Sequence, residues 1–231
     1  DDKTVASIRV LSVWLAEEGS LEKEVVTVIP FLIDMCHRCH SEVNLIRMLT
    51  PAFLNLTSQD QPRSTFSSHG GHQLMVNYLI EFWQHIENKN EITNAMVDNL
   101  LGPFQVLLNI MVSEKEDFVV KNEEELLSVI NTGHQILRIL GPKLKSEGYP
   151  SSQRNQSILL ANTLLLCLLI ISRISRSSDL IEKEILIGIK NTATTYYEDQ
   201  NDLTLQDDSQ EQIKEVIFLG QQVLNSTLHH V

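Results

Sequence analysis

The 231-residue chain is poor in glycine, proline, cysteine and basic residues, and each shortage excludes a class of protein. Its 9 Gly and 6 Pro make up about 6% of the residues, roughly half the usual share, which is too few for the many turns of a β-rich fold. Three Cys cannot form a disulfide scaffold in a chain of this size. Because 18 Lys and Arg stand against 30 Asp and Glu, the net charge is −12, which disfavours nucleic acid and anionic lipid as partners.

The chain also lacks an uninterrupted apolar run of the length that crosses a bilayer. Its longest run, from Ile158 to Ile171, contains Asn162 and Thr163, whereas a span needs about 20 apolar residues. We expect this run to form one buried helix. Since no signal-like segment opens the sequence, we expect a cytoplasmic, reducing location and a section of a longer protein.

Helical periodicity dominates what is present. Apolar residues recur at intervals of three and four from Val5 to Leu15, and similar faces follow along the chain. Pro30 and the Gly102-Pro103 pair are expected to kink or break their helices, and the polar stretch 57–71 is expected to be a loop or a short helical turn. No convincing strand alternation is found. The predicted helices cover roughly residues 4–18, 20–35, 41–57, 74–85, 91–112, 123–140, 154–176, 179–196 and 208–228.

Two stretches repeat a short motif. Leu54-Asn55-Leu56 and Leu108-Asn109-Ile110 each end a helix and are followed by a polar stretch and a leucine-rich helix. This order resembles a degenerate armadillo repeat. We therefore predict an all-α fold, a single armadillo/HEAT-like α-solenoid over residues 1–231, with about nine or ten helices stacked in a right-handed superhelix.

The asparagines of the repeated motif, Asn55 and Asn109, are the first candidates for function. The armadillo resemblance implies that such an Asn lies on an inner helix and hydrogen-bonds the backbone of an extended partner peptide, because its amide is both donor and acceptor. The alternative is an Asn that satisfies a neighbouring loop of its own protein. Trp14 and Trp83 are candidate anchors in the same groove, with a core position as the alternative.

A second motif, Cys36-His37-Arg38-Cys39-His40, has the C-x-x-C-H spacing of haem attachment and half the ligands of a zinc site. Four donors within one helical turn cannot surround a single ion, so we favour ordinary thiols at a helix end. Cys36, Cys39 and His40 stay as weak metal candidates, and no cofactor is predicted. The His pair of His69-Gly70-Gly71-His72 is best explained by a glycine turn into a long helix.

No nucleophile elbow, dinucleotide-binding or P-loop motif occurs in the sequence, so an enzyme is not expected. The alternatives to an interaction module are a metal- or haem-binding helical domain and a chaperone-like solenoid that holds a client subunit.

Several strings, in collinear order over residues 9–220, resemble the neurochondrin family. The block around Trp14-Leu15-Ala16-Glu17-Glu18 resembles its W-L-A-E-E…E-V…L-P-F-L block, and Asp60-x-Pro62-Arg63 resembles its D-G-P-R with Gln61 in place of glycine. Further matches are Met48-Leu49-Thr50-Pro51, Tyr78-Leu79-x-x-Phe82-Trp83, Leu107-Leu108-Asn109-Ile110, Leu159-Leu160-Ala161-Asn162 and Phe218-Leu219-Gly220.

This resemblance implies a non-catalytic adaptor of neurons, linked to neurite outgrowth, to receptor cytoplasmic tails and to restraint of calmodulin-dependent kinase signalling. It also implies peripheral association with the plasma membrane or endosomes, with membrane contact indirect or through segments outside this chain. An acidic solenoid favours basic partner segments, which receptor tails often supply.

Overall fold

The computed structural model describes residues 10–15, 22–38, 43–86, 92–121, 123–145 and 151–174, together with Phe218 and Gln222. The predicted all-α class is confirmed, since every element in these ranges is helical and none of their residues lies in a strand. The predicted helices at 179–196 and 208–228 lie outside the described ranges, apart from Phe218 and Gln222, which are helical. The described helices are α1 (10–15), α2 (Glu22–Arg38), α3 (Val43–Ser58), α4 (Asp60–Ser68), α5 (Gly71–Ile86), α6 (Asn94–Lys121), α7 (Glu123–Lys145) and α8 (Ser151–Ile174).

The helices are arranged in two rows. In the first row α3 packs on α6, and α6 packs most extensively on α8, while hydrogen bonds from Ser12 to Met48 and from Asn55 to Leu15 place α1 beside α3. In the second row α2 contacts α4 and α5, and α5 contacts α7. Contacts of α5 with α6 and of α7 with α8 join the two rows. Such stacking of helix pairs is the arrangement expected for the predicted solenoid.

Two helices continue through positions where the sequence predicts a break. Pro30 lies inside α2, and Gly102-Pro103 lies inside the 28-residue α6, which runs on well past residue 112. A helix-interior proline loses one backbone hydrogen bond, but both Gly102 and Pro103 are buried, so packing holds the helix through them. The helix break expected at Gly102-Pro103 is therefore wrong.

The polar stretch 57–71 contains a helix of its own, α4. Four of its nine residues are exposed, and buried Pro62, Phe66 and Ser67 anchor it to the core. The Phe66 ring packs against that of Phe53, with centroids 5.0 Å apart. Gly70, with φ +84°, then turns the chain into α5, and a Cβ on Gly71 would lie 2.3 Å from the Phe66 ring. Two glycines are thus required here, one for its backbone conformation and one for the close approach of the ring.

Helix α6 lies at the centre of the core. By length and hydropathy its Asn94–Ser113 stretch would also suffice to cross a membrane, but half of it is buried in this structure, where α3, α5 and α8 pack around it. Its inner side chains are fully buried, and most of the described apolar run on α8 is buried too, although Leu159 is exposed. That run was expected to form a buried helix, and this is confirmed. These buried residues include Leu100, Phe104, Val106, Leu107 and Ile110 on α6, and Leu160, Ala161 and Leu165 on α8.

Candidate functional site

Asn55 lies near the end of α3 and is half-buried. Its Nδ2 donates a hydrogen bond to the carbonyl oxygen of Leu15 at 2.6 Å. Leu15 belongs to α1, so this hydrogen bond links α3 to its neighbouring helix in the row. One donor of Asn55 is therefore engaged within the chain.

Asn109 lies one helix further along the row, in the middle of α6, so the prediction that its motif ends a helix is wrong. Its Nδ2 donates to the Oγ1 of Thr57 on α3 at 3.2 Å. Thr57 is fully buried, and its hydroxyl donates in turn to the carbonyl of Phe53 at 2.8 Å. Asn109 makes no further hydrogen bond to a described residue, so its carbonyl oxygen and second amide hydrogen face no described protein partner.

The two asparagines are thus placed in series, and each links its helix to the preceding one. Asn162 on α8, which the sequence analysis did not single out, continues the spacing but makes no hydrogen bond to α6 among the described residues. The intervals are 109 − 55 = 54 and 162 − 109 = 53 residues, so the periodicity itself was a signal that could have found it. Asn162 is 8% exposed, and its Oδ1 has no hydrogen-bond partner among the described residues.

The structure places the two tryptophans in different surroundings. Trp14 is 40% exposed on α1, next to Val13, which is 61% exposed. Trp83 is buried on α5 in the second row, and its indole N–H donates to the side-chain oxygen of Gln135 on α7. Trp83 is therefore a core residue here, and the structure does not bring it together with Trp14 or the asparagines.

Other residues of α3 and α6 share the outer side of the first row with Asn55 and Asn109. The opposite sides of α3 and α6 pack against the second row, so residues that recur at helical spacing on the outer side share one face. We name this surface the row face. It consists of exposed Arg47, Pro51 and Val112 and of partly buried Leu54, Leu101, Gln105 and Leu108.

The C-x-x-C-H motif falls at the end of α2. Cys36 is buried in the core, whereas His37 and Arg38 are exposed, and Arg38 pairs with Asp34 at 2.9 Å. Cys39 and His40 lie outside the described residues. Among the residues that are described, no cluster of three or more metal donors occurs. The weak metal prediction for Cys36, Cys39 and His40 stays untested, with one of its three donors facing the core.

The His69-Gly70-Gly71-His72 motif forms the turn that the sequence predicts. The Nδ1 of His69 lies 2.8 Å from the carbonyl of Thr65, and the Nε2 of buried His72 lies 3.9 Å from a carboxylate oxygen of Glu125. Each imidazole thus has its own neighbour in the structure.

Three described groups have a displaced pKa, and burial is the main cause for each. Desolvation raises the pKa of Tyr78 to about 12, against a smaller lowering by Arg47, and raises the pKa of the Cys167 thiol to about 12. Burial, followed by repulsion from Arg138, lowers the pKa of His134. A pKa that is displaced by desolvation is usual for buried side chains and does not by itself indicate a catalytic pair.

Comparison with known proteins decides the family. The neurochondrin family model matches residues 2–223, which is nearly the whole chain. The chain belongs to the neurochondrin family. Similar neurochondrins include those of Gallus gallus (25% identical over 206 residues, 79% of this chain and 28% of the relative) and Homo sapiens (25% over 158 residues, 55% and 21%). The Xenopus laevis neurochondrin is 29% identical over 144 residues, covering 49% of this chain and 20% of the relative.

The chain spans less than a third of the length of these neurochondrins, and no solved structure matches it. Membership of the neurochondrin family supports a non-enzymatic, scaffold-like role in general.

The neurochondrin-like motif Asp60-x-Pro62-Arg63 has a structural explanation. Asp60 and the buried Pro62 begin α4, directly after α3 ends. Arg63 reaches back and donates from Nη1 to the carbonyl of Thr57 at 3.1 Å, while Nη2 binds the carboxylate of Asp60. The motif therefore connects the end of one helix to the start of the next.

Proposed function

We propose that this chain is a section of a non-catalytic protein–protein interaction scaffold of the neurochondrin type, and that a partner binds along the row face. One observation carries the proposal: Asn109 is half-exposed in a row of stacked helices, retains hydrogen-bonding groups that no described residue engages, and is flanked by apolar side chains. Exposed Val112 and partly buried Leu108 lie beside it on α6.

The partner that fits this surface is an extended, basic protein segment. A net charge of −12 attracts a cationic chain at long range and repels an acidic one. An Asn amide can both donate a hydrogen bond to and accept one from a peptide backbone. The leucines of the row face and Val112 supply apolar contact area. Receptor cytoplasmic tails have this chemistry, and we propose them as the partner class on the basis of the family resemblance.

The finer role rests on the same resemblance. We propose an adaptor of neurons that works in neurite outgrowth and restrains calmodulin-dependent kinase signalling. Its proposed location is the cytoplasm, with peripheral association with the plasma membrane or endosomes.

Substituting the two asparagines by Ala would be an ambiguous test, because each donates a hydrogen bond within the chain. Val112→Arg is a cleaner variant, since the side chain is 60% exposed on the row face. Phe31→Arg is its matched control, because Phe31 is 62% exposed on α2 in the second row. Both variants add the same charge, so they differ in the row that carries it.

The assay is an array of receptor-tail peptides with scrambled peptides of equal composition, probed at low and high salt. Native chain and Phe31→Arg should bind the same subset of basic tails over their scrambled versions, more weakly at high salt. Val112→Arg should lose this binding while keeping its far-ultraviolet circular dichroism. Equal binding by all three proteins, or equal binding to scrambled peptides, would refute the row face as the partner surface.

A further inference from the structure

A cleft of about 330 Å³ lies between α4, which lines it from its first residue to its last, and Ser113 in the second half of α6. Its lining contains no apolar residue, and hydroxyl groups predominate. Cavities of this volume are at the lower end of those that hold small ligands. The lining residues are Asp60, Arg63, Ser64, Ser67, Ser68 and Ser113.

Arg63 supplies the positive charge of the cleft. Its side chain is only 12% exposed, and the 3.1 Å hydrogen bond from Nη1 to the carbonyl of Thr57 holds the guanidinium against the end of α3. A guanidinium fixed in this way keeps its planar fork in one orientation, which suits an oxyanion. Nη2 meets the carboxylate of Asp60.

The carboxylate of Asp60 is weakly held where it meets Arg63. The Asp60 side chain is 98% exposed, and it is only three residues from Arg63 along α4. An ion pair with so exposed a carboxylate contributes little to stability, because water competes for the charge of Asp60. An external anion can therefore take the place of Asp60 with little loss to the fold.

The hydroxyl groups extend the donor set beyond Arg63. Ser64 and Ser113 make no hydrogen bond to any described residue, so both hydroxyls can turn toward a ligand. A carboxylate offers two acceptor oxygens, whereas a phosphate monoester offers three and about twice the charge. Three oxygens are enough to accept from one guanidinium edge and two hydroxyls.

We propose that this cleft binds the phosphate group of a phosphorylated side chain on a protein partner, with Arg63 as its cation, Ser64 and Ser113 as further donors, and Asp60 as an internal competitor. The charge of −12 repels an anionic bilayer, which presents many phosphates at once. It tolerates a single phosphate within a basic peptide. The cleft shares no residue with the row face, so a failure of one proposal leaves the other unaffected.

The test uses fluorescence anisotropy with a labelled peptide that carries one phosphoserine flanked by lysines, beside its unphosphorylated twin. The native chain should bind the phosphopeptide about ten-fold more tightly than the twin. Ser113→Ala and Ser64→Ala should each weaken binding about three-fold. Asp60→Asn should tighten binding about three-fold, because it removes the competing carboxylate. Ser58→Ala is the control, since Ser58 is exposed at the end of α3 and does not line the cleft.

Tighter binding by Asp60→Asn is the informative result, because a merely structural Asp60–Arg63 pair would not produce it. Inorganic phosphate should compete with the phosphopeptide in the native chain and compete better in Asp60→Asn. Equal affinity for the two peptides, or weaker binding by Asp60→Asn, would overturn the proposal. Ser113-dependent binding to phosphoinositide vesicles without phosphopeptide binding would also overturn it and would assign the cleft to a lipid headgroup.

Discussion

The close approach of Gly102 on α6 to Thr50 on α3 predicts a change in stability opposite to that expected from helix propensity. Gly102→Ala replaces a glycine inside a helix, which by itself should stabilise the chain by about 1 kcal/mol. A Cβ at this position would lie 2.3 Å from the Cγ2 of Thr50 on α3, a distance that real Cβ atoms do not reach. Forcing apart such a packed contact costs about 1–3 kcal/mol. We therefore expect a net loss of about 1 kcal/mol, and up to about 2 kcal/mol.

Thr50→Ser should rescue this loss. The substitution removes the Cγ2 methyl and keeps the hydroxyl, which donates to the carbonyl of Ile46 at 2.8 Å. The next atoms near the new Cβ are the Cβ of Thr50 at 3.6 Å and the Cδ1 of Leu54 at 3.9 Å, both at ordinary contact distance. On its own Thr50→Ser should cost about 0.5–1 kcal/mol for the lost methyl. The double variant should be more stable than the sum of the single effects predicts, by about 1 kcal/mol or more.

The measurement is urea unfolding followed by far-ultraviolet circular dichroism for the native chain, the two single variants and the double variant. Gly133→Ala is the control, because its Cβ would meet only the flexible end of Leu164, at 3.3 Å. It should be neutral or stabilising. If Gly102→Ala is as stable as the native chain, or if the two substitutions add without coupling, the close approach of α3 and α6 is refuted.

Three further predictions concern buried side chains. Gly71→Ala should destabilise the chain by about 2 kcal/mol in thermal unfolding, because its Cβ would meet the fully buried ring of Phe66; an unchanged melting temperature would contradict the turn geometry. Tyr78→Phe should be neutral within about 0.5 kcal/mol at pH 7, because the buried hydroxyl has no hydrogen-bond partner among the described residues. Burial raises the pKa of Tyr78 from 10.0 to about 12 in the folded chain, so the folded state loses stability relative to the unfolded state as the pH rises from 10 toward 12. At about pH 11 the Phe variant should therefore melt at a higher temperature than the native chain. Cys167, whose thiol pKa is raised to about 12, should resist iodoacetamide at about pH 8 until urea unfolds the chain, as peptide mass spectrometry would show; rapid labelling of the folded chain would contradict its burial.

The helical class could be predicted from the sequence because apolar residues recur at the helical period along most of the chain. The ends of the helices could be predicted less well from the sequence. Gly102 and Pro103 favour a break in any local reading, yet both are buried where α3, α5 and α8 surround α6. The surrounding packing keeps the helix continuous, and nothing in the neighbouring sequence encodes that packing. The sequence predicted only a loop or a short helical turn where α4 lies. Only Pro62, Phe66 and Ser67 of its nine residues are buried, so its apolar pattern is too weak to predict a helix.

The candidate site could be predicted only in part. The repeated motif located Asn55 and Asn109 on successive helices of one row, but their donated hydrogen bonds depend on Leu15 and Thr57, which are distant in sequence. The partner of Trp83 was not predictable either. Its helix α5 keeps exposed Asn77, Glu81 and Gln84 on one side, but this pattern does not show which helix packs on the apolar side. The side chain of Gln135 on α7 settles that question.

The central position of α6 has a consequence for the order in which the chain opens. Because α3, α4, α5, α7 and α8 all contact it, we expect α6 to be among the last described helices to separate. Among the described helices, α1 contacts the first row on one side only, so we expect it to separate before α6. Amide hydrogens near Leu107 should therefore exchange with deuterium more slowly than those near Val13. A partner that binds α6 would stabilise all the described helices that pack on it.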